Sequence, residues 1–151
     1  MTVVLLWLFT INLGIAVGAG LYEARVVVPL WRSAVPASLR TPESGLRFWA
    51  IATTVPLTLL TIASLVVAAE LGTPAGRWWL IAAAMAAGER AATFGYFIPT
   101  MLRLQRSTEA PDEIARRFDR WAQRSWVRTA VDLAAWLLAM RALTLVGASP
   151  G

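Results

Sequence analysis

Glu89 and Arg90 stand side by side in the middle of an apolar run that extends from Trp78 to about Leu102. At 1.5 Å of rise per residue, each lies about 16 Å from a membrane face if that run is a spanning helix. A central Arg or acid costs about 2.5 to 3.5 kcal/mol each to place there, so two in succession point to more than packing. Adjacent helical positions diverge by about 100°, which predicts separate partners for the two. Glu89, Thr93, Tyr96 and Thr100 recur at the spacing of one helical face and predict the wall of a polar cavity. Arg128 and Asp132, four residues apart, can pair along the last apolar run, with Asp132 about 9 Å deep. In the first run Asn12, Ala16, Ala19 and Glu23 share a face, with Glu23 beside Tyr22 and Arg25. Thr54, Thr58 and Thr61 form a hydroxyl row in the second.

The chemistry open to such residues is proton transfer. The chain has no His and no Cys, so the commonest base, the commonest metal ligand and thiolate chemistry are all missing. The acid–base work falls to Glu23, Glu89 or Asp132, and Tyr96 can donate a hydrogen bond to a developing oxyanion. Those four are the catalytic candidates; Asn12, Arg90, Arg128, Thr93, Thr100 and Trp31 are the candidates for holding substrate. No nucleophile triad, phosphate loop, dinucleotide fingerprint or metal box occurs, and neither metal nor cofactor is expected. A plainer reading stands beside this one: Glu89 with Arg128, and Asp132 with Arg90, could be interhelical ion pairs that set register. The Thr93–Tyr96 stripe could likewise be packing.

The elements that must position these residues follow from composition. The chain has 151 residues, 58% of them hydrophobic, and a mean hydropathy of +0.59. Its apolar residues gather in four blocks, each long enough to cross a ~30 Å hydrocarbon core as a helix. The expected fold is all-α: a single transmembrane domain over residues 1–151, a four-helix bundle with spans at about 3–22, 48–69, 78–102 and 126–146. Pro56 should bend the second span, and Gly72 to Gly76 should turn tightly. Pro111, Asp112 and Glu113 read as the start of a short interfacial helix between spans three and four. Gly14 and Gly18 read as a close-packing GxxxG step, and Arg141 as a snorkelling side chain. The first run has no preceding positive charge or sharp cleavage pattern, so it is expected to be retained as a span.

Net charge is +5 and all 14 basic residues are Arg. Arg25, Arg32, Arg40 and Arg47 lie between spans one and two; Arg103, Arg106, Arg116, Arg117, Arg120 and Arg124 lie between spans three and four. The positive-inside rule puts both connections in the cytoplasm and both termini outside, in a bacterial-type inner (cytoplasmic) membrane. Trp7, Trp31, Trp49, Trp78, Trp79 and Trp126 fall near span ends, as an aromatic belt would. The expected partners are the lipid bilayer and a lipophilic small-molecule substrate. Nucleic acid is not expected, because the arginines set topology rather than an accessible basic stripe. A homo-oligomer is compatible with the pattern.

The runs NLGIAVGAGLYEARVVVPLW (Asn12 to Trp31), ERAATFGYFIPTMLRL (Glu89 to Leu104) and WAQRSWVR (Trp121 to Arg128) resemble the DUF1772 family. This anthrone oxygenase-like family consists of small four-span membrane proteins, and the resemblance covers nearly the whole chain in order. It implies the four-span fold and a membrane location. More weakly, it implies oxidation of an anthrone-like aromatic polyketide without a familiar cofactor. An enzyme of that kind, an acid–base cyclase or isomerase of natural-product biosynthesis, and a non-enzymatic binding, transport or partner subunit are the three functions the sequence leaves open.

Overall fold

Three times the chain places a β-branched residue before proline inside an apolar helix: Val28-Pro29, Val55-Pro56 and Ile98-Pro99. Proline lacks the N–H for the carbonyl four residues back, and its ring crowds that carbonyl. In the computed structural model, which describes residues 2–40 and 49–147, the helix widens to a π-helical segment just ahead of each pair. These segments are Glu23–Val27, Trp49–Thr54 and Thr93–Phe97. Each proline then sits in the first turn of a new α-helix, where its missing N–H is harmless.

The described residues form four rods and no strand. The first is α1 (Thr2–Tyr22), its widened turn and α2 (Val28–Arg32). A short 3-10 turn, Ala37–Arg40, follows. The second rod is the widened segment Trp49–Thr54 and α3 (Val55–Glu70). The third is α4 (Pro74–Ala92), its widened turn and α5 (Ile98–Arg106). The fourth is one unbroken helix, α6 (Pro111–Gly147). Rods one and three each pack against rods two and four, closing a ring. Gly72, at φ 55°, turns the chain between rods two and three, and the Thr73 hydroxyl accepts the Gly76 N–H at 3.1 Å to start α4.

Two apolar cores lie at opposite ends of the ring. The first is built largely from small residues, with Ala82, Ala83 and Ala86 of α4 and Ala135, Ala139 and Ala142 of α6, around Phe9, Leu13, Leu57 and Trp79. Small side chains let the helix backbones approach closely. The second core, at the arginine-rich end, packs Leu39, Phe97, Met101 and Leu104 against Ile114, Phe118 and Trp121. Phe118 and Trp121 stack with ring centroids 5.9 Å apart.

Several expectations change here. The helix that begins at Pro111 does not stop as a separate interfacial element. Its Ile114, Phe118 and Trp121 face the second core, so it continues into the fourth rod for 37 residues, about 55 Å of helix. Among the described residues, three helices are long and apolar enough to cross a membrane: Thr2–Arg32, Ile51–Glu70 and Pro111–Gly147. The expected third span is not among them, because Glu89 and Arg90 dilute its hydropathy. Gly18 faces open space, whereas a Cβ on Gly14 would lie 3.1 Å from the Trp136 indole and one on Gly20 would lie 2.8 Å from Thr129 Oγ1. The close approach therefore runs through Gly14 and Gly20, not through a GxxxG pair. Trp7, Trp78 and Trp126 face outward as a belt would require, but Trp79 is buried and Trp31 and Trp49 turn inward. Arg47 and Phe48, at the expected edge of the second span, and the tail 148–151 lie outside the described residues.

The outer surface is apolar over much of its length. Ile51, Leu59, Val66 and Val127 are each more than half exposed, as are many neighbours, an extent of apolar surface that marks a membrane or partner contact. The two arginine-rich connections meet at one end: Arg40 donates to the Ser107 carbonyl at 2.7 Å, and Arg32 pairs with Asp119 at 3.0 Å.

Candidate functional site

Between the two cores lies a polar layer at the level of the widened turns. Glu23, the first residue of the first widened turn, accepts a hydrogen bond from Arg128 Nη2 at 3.0 Å. The same guanidinium lies 5.7 Å from the Trp49 ring and 4.8 Å from the Phe97 ring, each in a widened segment of another rod. A single arginine on α6 therefore touches all three places where proline has opened a helix. π-Bulges of this kind recur at functional sites.

Glu89 and Arg90 bond to each other: the Arg90 guanidinium grips Glu89 Oε2, and the Thr93 hydroxyl donates to Glu89 Oε1 at 2.6 Å. Separate partners for these neighbours were expected, yet the flexible arginine stem folds back across the 100° between them. The alternative pairs, Glu89 with Arg128 and Asp132 with Arg90, are not formed, nor is the i,i+4 pair of Arg128 with Asp132. Arg128 instead crosses to the first rod. Asp132 is 4% exposed, and among the described residues its Oδ1 and Arg90 Nη1 are buried without a hydrogen-bond partner.

Among the described residues, three hollows adjoin this layer. An inner chamber of about 20 Å³ is bounded by Arg90, Arg128, Asp132, Thr53, Thr54 and Thr129. A larger hollow of about 80 Å³ reaches towards the arginine-rich end, past Glu23, Trp31, Trp121 and Gln105, and shares Trp49, Thr54, Thr93 and Arg128 with the chamber. On the outside of the ring, between rods three and four, a groove of about 500 Å³ runs over Gly88, Glu89, Tyr96, Arg124, Val127 and Arg128. That volume suits a small-molecule ligand.

Six of the ten candidate residues converge on the layer: Glu23, Glu89, Arg90, Thr93, Arg128 and Asp132. Trp31 lines the larger hollow. Tyr96 does not share a wall with Thr93; it faces the outer groove, with the Arg124 guanidinium 4.8 Å from its ring. The π-turn is the reason, since one extra residue per turn rotates the two apart. Thr100 is half-buried beyond the turn and lines none of these hollows. Asn12 has a structural engagement: its amide donates to the Ala52 carbonyl at 3.4 Å, the group that Pro56 cannot satisfy. Trp49, which the sequence marks only as a belt tryptophan, joins the site together with Thr53, Thr129, Phe97 and Trp121, which the sequence does not mark as site residues. The Val-Pro and Ile-Pro pairs are the signal that could have drawn attention to Trp49, Thr53 and Phe97, since each falls within seven residues before one.

No protein-family model matches this chain, and no curated protein or solved structure matches it either.

Proposed function

We propose that this chain is a four-span membrane enzyme that takes a lipophilic, enolisable aromatic molecule from the bilayer and moves protons on it with Glu89. In this reading the third rod also crosses the membrane, its two charges turned inward, and the arginine-rich end faces the cytoplasm of a bacterial-type cell. The observation that carries it is the outer groove. Its lining is largely apolar, and the buried Glu89 is among the residues that line it; in this reading it opens among the acyl chains. Tyr96 and Arg124 stand along the same groove to receive a phenolate or enolate oxygen.

The resemblance to anthrone oxygenase-like proteins supplies a concrete reaction. An aryl-flanked CH2 gives a proton to Glu89, and the carbanion adds to O2 as a peroxide anion. Reprotonation followed by loss of water leaves a ketone. One CH2 and one O2 become C=O and H2O, with the substrate carbon oxidised and O2 reduced. Proton transfer without O2 would instead make the protein a cyclase or isomerase of the same kind of molecule.

The rival reading is a non-enzymatic binding or partner subunit, and the mutual pairing of Glu23 with Arg128 and of Glu89 with Arg90 favours it. Against it stand the unpartnered Asp132 oxygen and a groove open to the flank. The test is to supply an anthrone to the protein in lipid vesicles and follow quinone formation and O2 uptake for wild type and Glu89→Gln. Product with O2 uptake that disappears in the folded variant supports the oxygenase. A rearranged product without uptake leaves the cyclase or isomerase. Turnover unchanged in Glu89→Gln removes Glu89 from the chemistry.

A further inference from the structure

Among the described residues the buried layer contains three carboxylic acids, Glu23, Glu89 and Asp132, and two guanidinium groups, Arg90 and Arg128. Each arginine is engaged by a glutamate. Asp132 has no arginine within ion-pairing distance among the described residues, although Glu89, Arg90 and Arg128 are all near enough to act on it electrostatically. With these five groups all ionised, their charges would sum to one uncompensated negative charge away from water, which is costly to bury.

We infer that Asp132 is a proton-exchange site, holding one proton that passes to and from the arginine-rich aqueous end through water in the inner chamber. The chamber's size and lining both fit. About 20 Å³ admits one water molecule by the usual threshold of roughly 10 to 15 Å³. Asp132 and Arg90 both line the chamber, and Asp132 Oδ1 and Arg90 Nη1 are buried without a hydrogen-bond partner among the described residues, so a water there can serve both. The hydroxyl oxygens of Thr53 and Thr129 can also accept from it: their own protons are committed to the Trp49 and Ser125 carbonyls, at 2.9 and 3.1 Å. Trp49, Thr54, Thr93 and Arg128 line both the chamber and the larger hollow beside it, which extends towards Gln105 and the arginine-rich end.

The charged groups that act on Asp132 are Glu89 and Arg90 from rod three and Arg128 from its own rod; Glu23 of rod one is joined to that Arg128. Rod two contributes only Thr53, Thr54 and Trp49 to the chamber. In each exchange the Asp132 O–H bond breaks as a water oxygen takes the proton, and the reverse step restores it; nothing is oxidised or reduced. The arrangement also separates two sides of the layer. Glu89 floors the lipid-side groove, whereas Asp132 lines the water-side chamber and not the groove. Its use as the route by which Glu89 is recharged rests on the acid–base reading above; its existence does not.

The test is infrared spectroscopy of the full chain in lipid vesicles, which needs no substrate. A protonated-carboxyl carbonyl band is expected that shifts on incorporation of 13C-carboxyl aspartate. It should shift again within minutes in D2O and vanish completely in Asp132→Asn. The labelled wild type keeps the assignment intact if the variant does not fold, because the other aspartates, Asp112 and Asp119, are not buried. Absence of the band, or a band unmoved by the aspartate label, overturns the proposal. A labelled band that ignores D2O overturns the water route. Loss of turnover in the previous experiment would leave the infrared result untouched, so the two readings can fail separately.

Discussion

Arg128 and Glu23, 105 positions apart, meet at 3.0 Å in the middle of the bundle. Their side chains are 13% and 8% exposed. The pair ties the fourth rod to the first at the height where the helices are widened, and it sets the geometry of both the larger hollow and the chamber.

Removing one partner should therefore be worse than removing both. Arg128→Met leaves Glu23 buried and unpaired, which costs about 3 to 5 kcal/mol in such sites. The double variant Glu23→Leu with Arg128→Met should recover at least half of that loss. Unfolding by denaturing detergent, run as a double-mutant cycle, measures the difference; equal losses in the single and double variants would remove the pair from the account.

Gly20 and Gly18 offer a matched comparison. Gly20→Ala should destabilise by about 1 to 3 kcal/mol through overpacking against Thr129, and Thr129→Ala should rescue it. Gly18→Ala meets no atom within 4 Å, so the change should stay near zero or improve helix formation by up to about 1 kcal/mol. Thermal aggregation midpoints of the purified variants decide it.

Gly88 lies in the wall of the outer groove and a Cβ there is also unobstructed. Gly88→Leu should fold normally and fill part of the groove. Turnover of a lipophilic substrate should fall by roughly tenfold or more, the loss that 1.4 kcal/mol represents. Unchanged turnover would move substrate entry elsewhere.

Outside the expected spans, Glu113 accepts hydrogen bonds from Arg116 at 2.6 Å and Arg117 at 3.1 Å. These bonds hold its carboxyl below the ordinary glutamate value. A lowered folded-state value means that the stabilisation is fully present above the unfolded-state value and is lost as pH falls through the folded one. The stability gap between wild type and Glu113→Gln should accordingly be small, present at neutral pH and closed in acid. A gap that widens on acidification would contradict the sign.

The amino-acid sequence by itself determined the helical class, the apolar runs and the placing of ionisable groups inside them. Hydrophobic blocks and buried charges are local facts that no packing arrangement can erase. The common end of the two arginine-rich connections was legible for the same reason, since it follows from the number and length of the helices. Which charges meet was decided only in three dimensions. Spacing along one helix pointed Arg128 at Asp132 and Glu89 away from Arg90, but a long arginine side chain can reach across rods or fold back on its neighbour, and helical period does not record that choice. The widened turns changed the rest. One additional residue per turn before Pro29, Pro56 and Pro99 rotates every side chain beyond it, which sends Tyr96 to the outer groove while Thr93 stays within. The same widening leaves the Ala52 carbonyl for Asn12. The prolines were visible in the sequence; the direction in which the chain relieved them depended on what the neighbouring rods offered.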